Sequence, residues 1–188
     1  MPLLKAVATL LLGGLAVVVI LVVIGAVLAF SGSPEPCIDR ESVPSTAASD
    51  ELDAAWRAFR ARAAAGPAEL RVSELQATSR GVAYLDEKDV PVDRLQVYFC
   101  PDGSAEASGE IDVAGLSAKV VVKGTLDLSG DKPRIEIESV RAGSLPSAVA
   151  KPAVDLILDT GNVRTLDLDV NLTAIEFSDG QATLSGAP

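Results

Sequence analysis

The chain has 188 residues, a formal net charge of −10 and no histidine. The missing imidazole excludes Ser-His-Asp and Cys-His nucleophile activation and most zinc sites. The acidic balance repels phosphate backbones, so nucleic acid is not an expected partner.

Residues 1–30 stand apart. From Ala6 to Phe30 the run "AVATLLLGGLAVVVILVVIGAVLAF" carries no charge, and a helix of that length rises about 37 Å, enough to cross a hydrocarbon core of about 30 Å. The competing reading is a cleaved signal peptide with Val27 and Ala29 before the cut, but a signal peptide has a shorter apolar region, of about 7–15 residues. An uncleaved single span is therefore expected. Lys5 precedes it, whereas Glu35, Asp39, Arg40 and Glu41 follow, and positive charge stays inside. Residues 31–188 are thereby placed outside the cytoplasm, in a protein of the cell membrane with a cytoplasmic N-terminus.

Residues 31–48, "SGSPEPCIDRESVPSTAA", have no periodicity and read as a linker. Cys37 lies within it, and Cys100 is the one other cysteine. In an oxidising compartment an even pair reads as a disulfide, worth about 4 kcal/mol in the chain-entropy model. Residues 49–188 then form a single α+β domain.

Ser49 reads as an N-cap, with Asp50 and Glu51 in the first turn and Leu52, Trp56, Phe59 and Ala63 at helical spacing until the Ala65-Gly66-Pro67 break. Trp56 reads as core packing in preference to a ligand or membrane contact. A second helix is expected from the capping box Ser73-Glu74-Leu75-Gln76 to about Tyr84.

Beyond it the hydrophobic period becomes 2. Ala107, Gly109, Ile111 and Val113 alternate with Glu106, Ser108, Glu110 and Asp112. Val120, Val122, Gly124, Leu126 and Leu128 form a second apolar row, and Ile135 and Ile137 a third. Leu166, Leu168, Val170 and Leu172 form a fourth, whose phase slips at Ala174 before Ile175 and Phe177, as at a β-bulge. A last strand, "QATLSG", follows the Ser178-Asp179-Gly180 turn. These strands predict one antiparallel sheet, wet on its charged face and covered by helices on the other. The expected cover is "AGSLPSAVAKPAVDLIL", residues 142–158, a helix with Val149, Ala153, Leu156 and Ile157 on one stripe. Pro152 either begins or kinks it.

Paired carboxylates such as Glu110 and Asp112, or Asp167 and Asp169, fall on the charged faces of strands and read as solvated residues, not as acid-base or calcium groups. No phosphate-binding glycine loop occurs. No catalytic residue, metal ligand or cofactor is assigned, and the expectation is a protein that is not an enzyme.

The stretches "ELRVSELQA", "VDRLQVYFCPDGSAEASGEIDVAGLSAKVVVKGTLDLSGDKPRIEIESVRAGSLP" and "LTAIEFSDGQATLSG" resemble the bacterial single-span extracytoplasmic proteins of the YpmS-like and LmeA-like kind, related to the tubular lipid-binding (TULIP) superfamily. Gly143, Leu145 and Pro146 carry the most telling part of the pattern, although the second proline of that pattern is replaced here by Ala148. The resemblance implies a curved antiparallel sheet wrapping one or more helices around an apolar groove. It also implies binding of phospholipid or another acyl-chain ligand. Lining candidates are Gly109, Ile111, Val113, Val120, Val122, Leu126, Ile135, Ile137, Leu156, Leu168 and Val170. The small residues Ala107, Gly109 and Gly124 suggest space beneath the sheet. The alternative is an anchored scaffold module that binds a protein partner, of unknown identity, and no ligand.

Overall fold

A computed structural model describes residues 33–87, 90, 92–113, 116–130, 133–143 and 170–188. Helix α1 (Thr46–Ala63) is capped by Ser45, whose hydroxyl accepts the Ala48 N–H at 3.2 Å. It therefore begins three residues before the expected cap at Ser49, which is itself buried. Helix α2 (Glu74–Glu87) starts at the expected capping box: the Ser73 N–H donates to Gln76 Oε1 at 3.1 Å and the Gln76 N–H to Ser73 Oγ at 3.3 Å. It runs through Gly81 to Glu87, one turn beyond the expected end.

Among the described residues seven strands pair antiparallel: β1 (Ala68–Ser73), β2 (Asp93–Phe99), β3 (Ala105–Val113), β4 (Leu116–Asp127), β5 (Arg134–Ala142), β6 (Asn171–Ser178) and β7 (Gln181–Ala187). They do not make the single sheet expected from the alternation. The order is β1-β7-β6 in one sheet and β2-β3-β4-β5 in another. The division arises because β7 pairs with β1, more than a hundred residues earlier, along Ala68–Gly186 to Ser73–Gln181. Periodicity reports which residues share a face and says nothing about such distant partners. The phase slip expected near Ala174 is present as a register shift between Leu172 and Ala174.

The sheets meet at one end. The Gly180 N–H of the β6–β7 turn donates to the Phe99 carbonyl at 3.2 Å, and Phe99 stacks on Phe177 with centroids 5.5 Å apart. Helix α1 packs on β1, β7 and α2, while α2 packs on both β1 and β2. The main core lies between them: Phe59, Ala63, Leu70, Val72, Phe99, Leu172 and Ala182 are buried, with Leu52, Trp56, Leu126 and Val170 packed around them. Trp56 takes the packing role expected of it, 5.4 Å from Phe59. Phe59, fully buried, is the centre of the core.

Among the described residues no helix is long and apolar enough to cross a membrane. The run Ala6–Phe30 and the expected helix over residues 146–158 lie outside the described residues.

Candidate functional site

The register of the four-stranded sheet determines where the ligand-lining candidates fall. Gly109 stands opposite Val120, which stands opposite Ala142; Ala107 stands opposite Val122, and Val122 opposite Val140. A bulge between Lys123 and Gly124 shifts the pairing, after which Gly124 meets Ile137 and Leu126 meets Ile135. Paired residues share a face. Gly109, Val120, Val122, Leu126, Ile135 and Ile137 thus occupy one face, as the alternation predicts. The ladder continues through Ile111 opposite Ala118 and Val113 opposite Leu116.

This face is divided in two. Val120, Ile137, Val140 and Ala142 are buried together, with Val122 packed against them, as a cluster separate from the main core. Leu126 and Val170 belong instead to the core around Phe59. Leu156 and Leu168 lie outside the described residues. Two of the small residues also have a different reason from the one inferred. A Cβ on Gly109 would come within 2.5 Å of Val92 Cγ1, and one on Gly124 within 2.8 Å of the Glu136 carbonyl oxygen. Both glycines permit close approach of neighbouring chain; neither faces open space.

The opposite face differs more from expectation. Glu106 and Ser108, read as solvated, are only 5% and 4% exposed, and Val121 between charged neighbours is fully buried. The cover is the segment read as a linker. Residues 37–45 form a strap pinned to the sheet by the expected disulfide, Cys37–Cys100, with a Cα separation of 5.9 Å. The Cys37 N–H donates to Glu106 Oε2 at 2.6 Å, and Arg141 donates to Oε1 at 2.8 Å. Further along, the Ser42 N–H donates to Gln96 Oε1 at 2.8 Å, and Gln96 Nε2 returns a bond to the Ser42 carbonyl at 2.9 Å. Arg40 reaches Glu74 at 3.0 Å and Asp179 at 2.8 Å. Its guanidinium is held above its ordinary pKa, first by the Glu74 bond and then by the Asp179 bond. The Ser45 N–H closes the strap onto Ser79 Oγ at 3.1 Å.

Glu74 and Glu106 are the buried carboxylates among the described residues, and each accepts two hydrogen bonds. Glu74 Oε1 also accepts the Phe99 N–H at 2.8 Å, and Glu106 is spent on Cys37 and Arg141. These bonds tie the strap and α2 to the four-stranded sheet. Cys37, Cys100 and Glu106 offer ligand atoms within 4.8 Å of one another. With both sulfurs in the S–S bond, neither supplies the thiolate a metal requires.

The chain matches no family model, no characterised protein and no solved structure.

Proposed function

We propose that this is a membrane-anchored extracytoplasmic protein whose α+β domain binds an acyl chain or other apolar ligand without catalysing a reaction. The observation that carries the reading is the separate apolar cluster of Val120, Val122, Ile137, Val140 and Ala142. It lies on a sheet face where neither α1 nor α2 makes its main contacts, since α1 packs on β1 and β7 and α2 on β1 and β2. Val120, Ile137, Val140 and Ala142 are already buried, so an acyl chain would insert among these side chains, each of its methylenes gaining about 0.8 kcal/mol on leaving water. The resemblance to single-span TULIP-related proteins supports the same conclusion, and the span over Ala6–Phe30 supplies the anchor.

Native mass spectrometry of the detergent-extracted full chain tests it. A co-purifying lipid is expected, retained at least tenfold less by the near-isosteric Val122→Thr, which puts a hydroxyl on the apolar face. Absence of any lipid mass, together with an unchanged melting temperature on adding phospholipid, would overturn the proposal.

A further inference from the structure

We infer that Glu106 shields the Cys37–Cys100 disulfide from reduction by thiols, and so keeps the strap closed over the sheet when thiols are present. A carboxylate oxygen of Glu106 and the two sulfurs all lie within 4.8 Å of one another. Glu106 is only 5% exposed, so water screens its charge poorly at that distance.

Both half-cystines are held by hydrogen bonds that do not pass through the bridge. The Cys37 N–H donates to Glu106 Oε2 at 2.6 Å. At the other end, the Cys100 N–H donates to the Ser104 carbonyl at 2.9 Å, and the Cys100 carbonyl accepts the Gly103 N–H at 3.1 Å. A sulfur released by exchange therefore still has its partner beside it.

Access decides the direction of attack. Cys37 is exposed, whereas Cys100 has no accessible surface. An incoming thiolate, for instance of a dithiol, reaches Cys37 Sγ and bonds to it; the electron pair of the S–S bond leaves with Cys100 Sγ, which then takes a proton. The second thiolate of the dithiol displaces Cys37 in turn, leaving two protein thiols and the dithiol as its cyclic disulfide. The attacking and the departing sulfur are both anionic in the first exchange. A carboxylate beside them opposes that charge, and burial of Cys100 acts in the same direction.

The cations nearby only partly offset this carboxylate. Across the sheet, Glu106 stands opposite the Tyr98 phenol on β2 and Lys123 on β4. Arg141 on β5 donates to Glu106 Oε1 at 2.8 Å. Lys123 is shared with Asp102 at 2.9 Å and Glu138 at 3.8 Å. Three carboxylates thus face two cations, and the surroundings of the bridge keep a net negative charge.

Reduction kinetics of the detergent-extracted full chain test the inference. The protein is exposed to dithiothreitol at pH 8, free thiols are trapped by alkylation, and the reduced fraction is read by mass. Glu106→Gln keeps an oxygen to accept the Cys37 N–H but removes the charge, and it should be reduced about three- to tenfold faster than the parent protein. Arg141→Gln unmasks the carboxylate and should be reduced more slowly than the parent. These opposite signs separate charge from mechanics, because loss of either partner loosens the strap and by loosening alone would accelerate reduction in both variants. Gln96→Ala, which opens the clasp on Ser42 without altering charge, gives the size of the purely mechanical effect. In denaturing urea the carboxylate no longer sits beside the sulfurs, and all rates should converge. An unchanged rate in Glu106→Gln, acceleration in both charge variants, or a difference that persists in urea would overturn the inference. Should Glu106→Gln fail to fold, Arg141→Gln decides alone, slowing supporting the inference and acceleration overturning it. No step uses the apolar face, so this inference and the proposed lipid binding fail independently.

Discussion

At the turn after β2, Asp102 accepts from the Ser104 hydroxyl and backbone N–H and from Lys123 Nζ at 2.9 Å. The Ser104 hydroxyl first, then Lys123, bring its pKa down to about 2. A carboxylate depressed on folding contributes stability that is complete above its unfolded value, near 3.9, and is lost as pH falls toward the folded value. Asp102→Asn should therefore lower the unfolding midpoint at neutral pH, and the gap to the parent protein should close between about pH 4 and pH 2; parallel denaturant titrations at pH 7 and pH 2 check it. A gap that persists unchanged at pH 2 would refute the assignment. Gly186 gives a steric counterpart. A Cβ there would lie 2.8 Å from Phe59 Cζ and 3.3 Å from Ala63 Cβ. Gly186→Ala should cost about 1–3 kcal/mol by overpacking, measured by urea unfolding.

Among the elements, the two helices show what local sequence can and cannot specify. The Ser73 and Gln76 bonds of the α2 capping box are made within four residues, so the start of α2 is readable from the sequence. The start of α1 is not, because Ser45 and Ser49 are comparable caps on local grounds. Ser79 on α2 decides it by accepting the Ser45 N–H, while Ser49 turns inward and is buried. Strand β1 was missed for a similar reason. "AELRVS" is short and leads directly into the capping box, and the partner that makes it a strand is β7. Between these elements Phe59 has no exposed surface and touches both α1 neighbours and the β1-β7-β6 sheet. Phe59→Ala should cost about 3–5 kcal/mol, far more than Trp56→Ala at the partly exposed position beside it; thermal unfolding of the two variants would show the order. Equal losses would mean that Trp56 is the true centre of this packing.

For the molecule as a whole, the disulfide sets how the chain enters the domain. It closes a separation of 63 residues and holds the strap across the polar face. Cys37→Ser with Cys100→Ser should lower stability by about 2–5 kcal/mol. It should also expose residues 33–45 to protease, because the hydrogen bonds from Cys37 and Ser42 then stand without covalent support. Limited proteolysis with and without reductant, followed by mass mapping, measures the release. A strap that stays resistant after reduction would show that Arg40, Gln96 and Ser79 hold it unaided.

The sequence by itself determined the class of structure. Alternation of period 2 placed Gly109, Val120, Val122 and Ile137 on one face, the bulge near Ala174 was visible as a phase slip, and Cys37 and Cys100 pair as expected. These are properties of consecutive residues, where sterics and side-chain polarity act over a few positions. Only the tertiary structure decided that the strands divide into two sheets, that Leu126 and Val170 join the core around Phe59, and that Gly109 is filled by Val92. It also decided that Glu106 and Ser108 lie beneath a strap far removed in sequence. Alternation reveals the polarity of a face and leaves open what covers it; covering depends on contacts between residues that the chain brings together only when it folds.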